Sequence, residues 1–174
     1  MTNECKEKLS ASLGDFRLPR YDQIPTVGLY LEQTSKYICE YLAPIQEGCI
    51  TNSMISNYVK MRLISSPVKK QYSRDQIAHL MFISLAKRVM SLENLSRIIR
   101  LQEQTYSTGK AYDYFCDELE NYLAYVFGLK DAPDVVGSDN SDEKMILRNT
   151  IIAVSHSVYL EKWFQINRED GESA

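Results

Sequence analysis

Three helix starts of the same design follow one another through the middle of this chain, and they constrain its fold more than any other feature. In each, a hydroxyl residue able to accept from a free backbone N–H stands between apolar residues spaced to staple the helix entry. Thr51 lies between Ile50 and Ile55, Ser73 between Tyr72 and Ile77, and Ser91 between Met90 and Leu95. Ser73 also opens the capping box Ser73-Arg74-Asp75-Gln76. The spacing predicts helices over about 52–62, 74–89 and 92–104. The last two carry apolar stripes through Ile77, Leu80, Met81 and Leu85, and through Leu92, Leu95, Ile98 and Ile99. Between the first two, Pro67 in "ISSPVKKQY" bars helix continuation, and Val68 and Tyr72 are placed to pair across a small hairpin.

Around this centre the punctuation is equally clear. Gly14, Pro19, Pro25 and Gly28 interrupt the opening, which reads as an arm and loop over 1–28. A helix is predicted from Leu29 to Leu42, with Leu31, Thr34, Ile38, Tyr41 and Leu42 on one face and Pro44 as its stop. After Gly109, the stripe Tyr112, Phe115, Leu119, Tyr122, Leu123 and Val126 predicts a long helix ended by Gly128. A polar loop over 130–142 follows, then a last helix from Ser141 to about Ile166 and a frayed tail over 167–174. The division expected is therefore an arm at 1–28, a head at 29–104 and a helical dimerisation or sensing region at 105–174.

Composition sets limits on what such a chain does. With 44% apolar residues it can bury a real core, and its apolar runs are too short for a bilayer span. "MTNECKEKLS" has no signal-peptide core, so a cytoplasmic protein with no membrane partner is expected. Cys5, Cys39, Cys49 and Cys116 form no CxxC pair, and only His79 and His156 accompany them, which argues against a metal site. Cys39 and Cys116 fall in apolar helical patterns and read as buried reduced thiols. No glycine-rich phosphate loop, GxSxG or HExxH motif occurs. His79 is expected on the outer side of its helix, and Asp117, Glu118 and Glu120 on a solvated face. The chain is read as non-enzymatic and without a cofactor.

Charge is unevenly spread. Residues 51–100 hold 9 basic and 2 acidic side chains, a net +7, whereas 101–174 hold 6 basic and 14 acidic ones, a net −8. A basic centre of this kind favours a polyanion locally, although the whole chain is at −3. The order helix, turn, helix, two-stranded wing, helix, helix is the outline of a winged helix-turn-helix. In such a unit a short helix enters the major groove and the wing offers cations to phosphates.

The segments "MISNYVKMRLISSP", "QYSRDQIAHLMFI" and "SLENLSRII" carry Tyr58, Leu63, Ile64, Pro67, Tyr72, Ser73, Phe82, Ile83, Ser91, Leu92 and Glu93 in an order that resembles the reading head of the MerR family. Residues 17–101, with "LPRYDQIPTVGLYLEQ" and "TNSMISNYVK", are also similar to an uncharacterised bacterial domain family grouped with MerR-like heads. The resemblance implies a mainly α fold with a MerR-like winged helix-turn-helix head, a short β-hairpin wing and two long C-terminal helices. It also implies a transcriptional regulator that binds double-stranded DNA in a sequence-specific way. This chain departs from MerR heads in its longer first helix, the longer turn "APIQEGCI" and a shorter wing. Ser56 and Asn57 stand where MerR heads often carry Arg and an aromatic.

The residues themselves name the contacts. The exposed face of helix 52–62 offers Asn52, Ser53, Ser56 and Asn57 to base edges, while Tyr58 reads as core. Lys60, Arg62, Lys69, Lys70 and Arg74 are the candidates for phosphates. Lys87 and Arg88 complement a helix C-terminus, and Arg97 pairs with Glu93 four residues earlier. Tyr112, Tyr114, Tyr122, Tyr125, Tyr159, Phe115, Phe127 and Trp163 in the C-terminal helices point to a core or a homodimer interface that would match two DNA half-sites. The sequence names no small-molecule effector. The competing reading is a protein-interaction module that keeps a winged-helix core without binding DNA.

Overall fold

In a computed structural model, which describes residues 3–137 and 141–171, all three helix starts close as their spacing predicts. Thr51, Ser73 and Ser91 accept from the backbone N–H of Met54, Gln76 and Asn94 at 3.2, 3.3 and 3.3 Å. The Gln76 side chain reciprocates by accepting from the Ser73 N–H at 2.8 Å, completing the capping box. From these caps run α3 (Asn52–Lys60), α4 (Arg74–Ala86) and α5 (Leu92–Thr105). Ahead of them lie α1 (Asn3–Leu13), a single 3-10 turn (Tyr21–Gln23), β1 (Leu29–Tyr30) and α2 (Leu31–Leu42). β2 (Gln71–Tyr72) precedes α4, and α6 (Thr108–Val126) and α7 (Asp142–Gly171) close the chain. The fold is mainly helical with one small antiparallel sheet. None of the described helices is long and apolar enough to cross a membrane. Residues 138–140 of the polar loop and 172–174 of the tail lie outside the described residues.

α4 is the centre of the packing. Every residue from Gln76 to Ala86 except His79 is buried, so the helix is enclosed on all sides rather than striped. It meets α2, α5, α6 and α7, and α6 and α7 pair with each other along most of their length. One continuous core runs from Leu9 to Val158 and crosses position 104 without a break.

Five expectations are corrected. Residues 3–13 form α1 rather than an arm: Leu9 and Leu13, four residues apart, are buried, and the helix packs on α7. The Pro and Gly punctuation acts only from Gly14 onward, where a φ of +52° ends the helix. The hairpin pairs Val68 with Gln71 rather than with Tyr72. Its outgoing strand β2 pairs instead with β1, with Leu29 opposite Tyr72 and Tyr30 opposite Gln71. Cys39 is not a reduced thiol but is joined to Cys49, their Cα atoms 5.3 Å apart, while Cys116 is free and buried as its pattern predicts. His79 is not on the outer side: its side chain is 14% exposed, turned toward α5 with Nε2 4.0 Å from Glu103 Oε1. Of the carboxylates expected on a solvated face, Glu118 is fully buried and Glu120 nearly so.

Those two carboxylates tie α6 to α7 and to the N-terminal segment. Glu118 accepts from Tyr114 Oη at 2.9 Å and Asn121 Nδ2 at 3.1 Å, and lies 3.3 Å from Arg148 Nε of α7. Glu120 receives both Arg20 nitrogens at 2.7 and 2.9 Å and the Leu18 N–H at 2.9 Å, a forked pairing only Arg can supply. The hydrogen bond to Glu120, more than the surrounding field, raises the Arg20 pKa. The N-terminal segment is thus fixed across α6, ahead of the strand that supports the hairpin.

Candidate nucleic-acid interface

α3 begins at an exposed, uncharged end and finishes at a basic one. Ile55 and Tyr58 are buried, which fixes the helix rotation and leaves Asn52, Ser53, Ser56 and Asn57 exposed as the sequence predicts. Asn52 is not wholly free, since its Oδ1 accepts from Ser35 Oγ of α2 at 2.7 Å. Asn57 Nδ2 makes a weak contact with Met61 Sδ at 3.3 Å. At 1.5 Å rise per residue the helix is about 13 Å long, so Lys60 lies well along it from Asn52.

The end of α3 is a tight reversal. The N–H of Arg62 bonds to the Val59 carbonyl and that of Leu63 to the Tyr58 carbonyl, both at 2.9 Å, which is the Schellman pattern. That pattern places its C′ residue in left-handed backbone, where glycine is usual, yet here it is Arg62 with φ +56°. Leu63 and Ile64 then enter the core and leave the guanidinium exposed.

The hairpin repeats the choice. Val68 and Gln71 exchange backbone hydrogen bonds of 3.1 and 2.9 Å around a two-residue turn formed by Lys69 and Lys70, at φ +50° and +65°. Positive φ at both central residues is the signature of the turn that normally calls for Asn-Gly. Both lysines are exposed at its tip. Among the described residues, the non-glycine positions with positive φ are Arg62, Lys69 and Lys70, all basic and all in the segment between α3 and β2. Each such position costs on the order of 1 kcal/mol in an L-residue.

The base of the hairpin is held from the N-terminal side. A Cβ at Gly28 would lie 2.8 Å from the Gln71 Cβ and 3.3 Å from the Tyr72 carbonyl, so β1 approaches β2 as closely as it does because position 28 is glycine. Gln76 Nε2 donates to the Ser65 carbonyl at 2.7 Å and ties the incoming arm to α4. Tyr72 is buried beneath.

Arg74 does not join the phosphate candidates. Its Nε donates to the Ile24 carbonyl at 2.8 Å and an Nη to the Asp22 carbonyl at 3.1 Å, and the guanidinium lies 5.2 Å from the Tyr21 ring centroid. Tyr21 Oη donates to Asp75 at 2.6 Å, and burial together with this bond pushes the phenol up to about 12. The cation is used to pin the N-terminal segment to α4, a role its position four residues after two lysines did not reveal. Arg97 pairs with Glu93 at 2.6 Å, and Arg88 with Glu161 at 2.9 Å. Burial, with help from Arg88, lowers the Lys87 pKa. Of the exposed cations of the basic third, Lys60, Arg62, Lys69 and Lys70 fall at the end of α3 and in the hairpin, while Arg97 and Arg100 lie on α5.

Sequence reasoning missed β1 and the Cys39–Cys49 pair. The second had a signal: the two cysteines flank the Pro44 turn, which folds the chain back after α2. A two-residue strand has almost none.

A family model described as a domain of unknown function (DUF1836) matches residues 19–115, from the segment pinned by Arg74 to the middle of α6. No curated protein and no solved structure matches the chain.

Proposed function

The chain belongs to the DUF1836 family, a domain of unknown function, and from that premise we propose that it is a sequence-specific DNA-binding protein acting as a bacterial transcriptional regulator. In this reading the segment from β1 to α5 is a MerR-like winged helix-turn-helix head, α3 is the helix that enters the major groove, and the Val68–Gln71 hairpin is the wing. The observation that carries the proposal is the backbone strain at Arg62, Lys69 and Lys70. A solvated loop has no reason to hold three cations where glycine or asparagine is easier, whereas a phosphate-binding tip has one. Strand β1 supports the reading by giving the hairpin a fixed base, so the cations are presented rather than left loose.

Base contacts are assigned to Ser53, Ser56 and Asn57, with Asn52 shared with Ser35. Phosphate contacts are assigned to Lys60, Arg62, Lys69 and Lys70. No catalytic role is assigned to any residue. Pairing of two heads is assigned to α7, whose outward stripe Met145, Asn149, Ala153, His156, Leu160 and Phe164 is exposed and mostly apolar.

The second reading, an interaction module that binds an acidic protein through the same basic surface, is favoured by one feature. The α2–α3 connection over 43–51 is longer than the three or four residues of a standard helix-turn-helix. Selection of random duplexes with the purified chain separates the two. Enrichment of one motif, lost in a Ser56→Ala/Asn57→Ala variant that still binds bulk duplex, is the outcome expected of a regulator. Absence of any enriched motif, at a salt where bulk binding is gone, speaks for the module.

A further inference from the structure

A cavity of about 320 Å³ lies among α4, α5, α6 and the start of α7, away from the hairpin and sharing no residue with it. Its walls are mostly apolar, built from Phe82, Ile98, Ile99, Phe115 and Leu147. Two lysines line it and neither has a carboxylate partner among the described residues: Lys110 Nζ rests 5.0 Å from the Tyr106 ring centroid, and Lys144 Nζ 5.2 Å from that of Tyr114. Glu143 is the one carboxylate in the lining, so the wall carries a net positive charge.

The wall also holds a histidine with one of its two ring nitrogens unpaired. His79 Nε2 is buried and makes no hydrogen bond, with the nearest carboxylate oxygen 4.0 Å away on Glu103. Burial lowers its pKa, so at neutral pH it faces the cavity wall as an uncharged ring. Buried polar groups without partners are uncommon and mark places where a further group completes the bonding. An apolar cleft with a few convergent polar groups is the ordinary form of a small-molecule site.

We propose that this cavity binds a small monocarboxylate with an apolar body, its carboxylate meeting Lys110 and Lys144 and its chain or ring lying against Phe82, Ile98 and Phe115. At roughly 30 Å³ for each water-sized unit, the volume suits a molecule of about ten to twelve non-hydrogen atoms. Two like-charged lysines against one glutamate match a single negative charge, whereas a phosphate or a polyanion would bring more charge than the apolar walls tolerate. The site stands apart from duplex binding, so the failure of either leaves the other in place.

Calorimetric titration of the full chain with octanoate and with 4-phenylbutyrate, against octan-1-ol and octylamine, tests it. At least one carboxylate is expected to bind one to one, about tenfold more tightly than the alcohol, with the amine weaker still. A straight-chain preference or an aryl preference identifies the body. Lys110→Ser/Lys144→Ser should weaken the carboxylate about tenfold and leave the alcohol unchanged. Ala111→Phe, which places a ring in the cavity, should remove both. No saturable binding of either carboxylate, equal binding of carboxylate and alcohol, or affinity indifferent to the lysine pair overturns the proposal. If Ala111→Phe fails to fold, the paired lysine substitution still separates these outcomes.

Discussion

Lys69 and Lys70 hold a backbone shape that Asn and Gly hold at lower cost. Replacing them with that pair should raise stability by about 1 kcal/mol, since a left-handed L-residue costs roughly that much and the added freedom of glycine offsets only part of the gain. The same change should weaken duplex binding. Urea unfolding and fluorescence anisotropy with labelled duplex measure the two effects, and a variant that is both less stable and equally tight would sink the strain account. Gly109 presents the opposite balance. In the first turn of α6, Gly→Ala would ordinarily stabilise by up to ~1 kcal/mol through helix propensity. Here a Cβ would sit 2.8 Å from Tyr21 Cδ1 and 3.1 Å from two further ring atoms, and that ring is anchored by Asp75. Overpacking costs about 1–3 kcal/mol, so Gly109→Ala should come out net destabilising in thermal unfolding.

At the level of elements, what was legible in the sequence was local. Thr51, Ser73 and Ser91 satisfy backbone donors within their own turn, and α3, α4 and α5 begin where those residues stand. Contacts between distant segments were not legible. Nothing near Arg74 announces Ile24, and nothing near Glu118 announces Arg148. Both look like surface charges until tertiary packing closes over them. The enclosed state of α4 was half visible, because its stripe was read but the apolar residues off the stripe were not counted as a second buried face. The exposed candidates on α3 and in the hairpin were readable because buried Ile55, Tyr58 and Tyr72 fix which side faces out. The Cys39–Cys49 link clamps the end of α2 to the residue before the α3 cap region. Closing a loop of 10 residues stabilises by roughly 2–3 kcal/mol in the chain-entropy account. Cys49→Ser should therefore lower the urea midpoint to the value the wild-type chain shows with reductant, and adding reductant to the variant should do nothing more.

The whole molecule is acidic, at −3, and still carries a basic centre of net +7 between an acidic N-terminal third and a strongly acidic C-terminal one. Arg20, Arg74, Arg88, Arg97 and Arg148 are engaged in carboxylates or carbonyls, whereas Lys60, Arg62, Lys69 and Lys70 stand exposed at the end of α3 and in the hairpin. A cluster of four exposed cations on a molecule that is acidic as a whole favours one orientation of an approaching duplex. Each phosphate neutralised releases counterions and steepens the salt dependence by about 0.9 of a unit on a logarithmic plot. The direct test is the slope of log affinity against log salt for a fixed duplex, compared between the wild-type chain and Lys69→Ala/Lys70→Ala. The account predicts a steep wild-type slope that becomes shallower by about one to two units in the variant. An unchanged slope, or no duplex binding by the wild-type chain even at low salt, would contradict it.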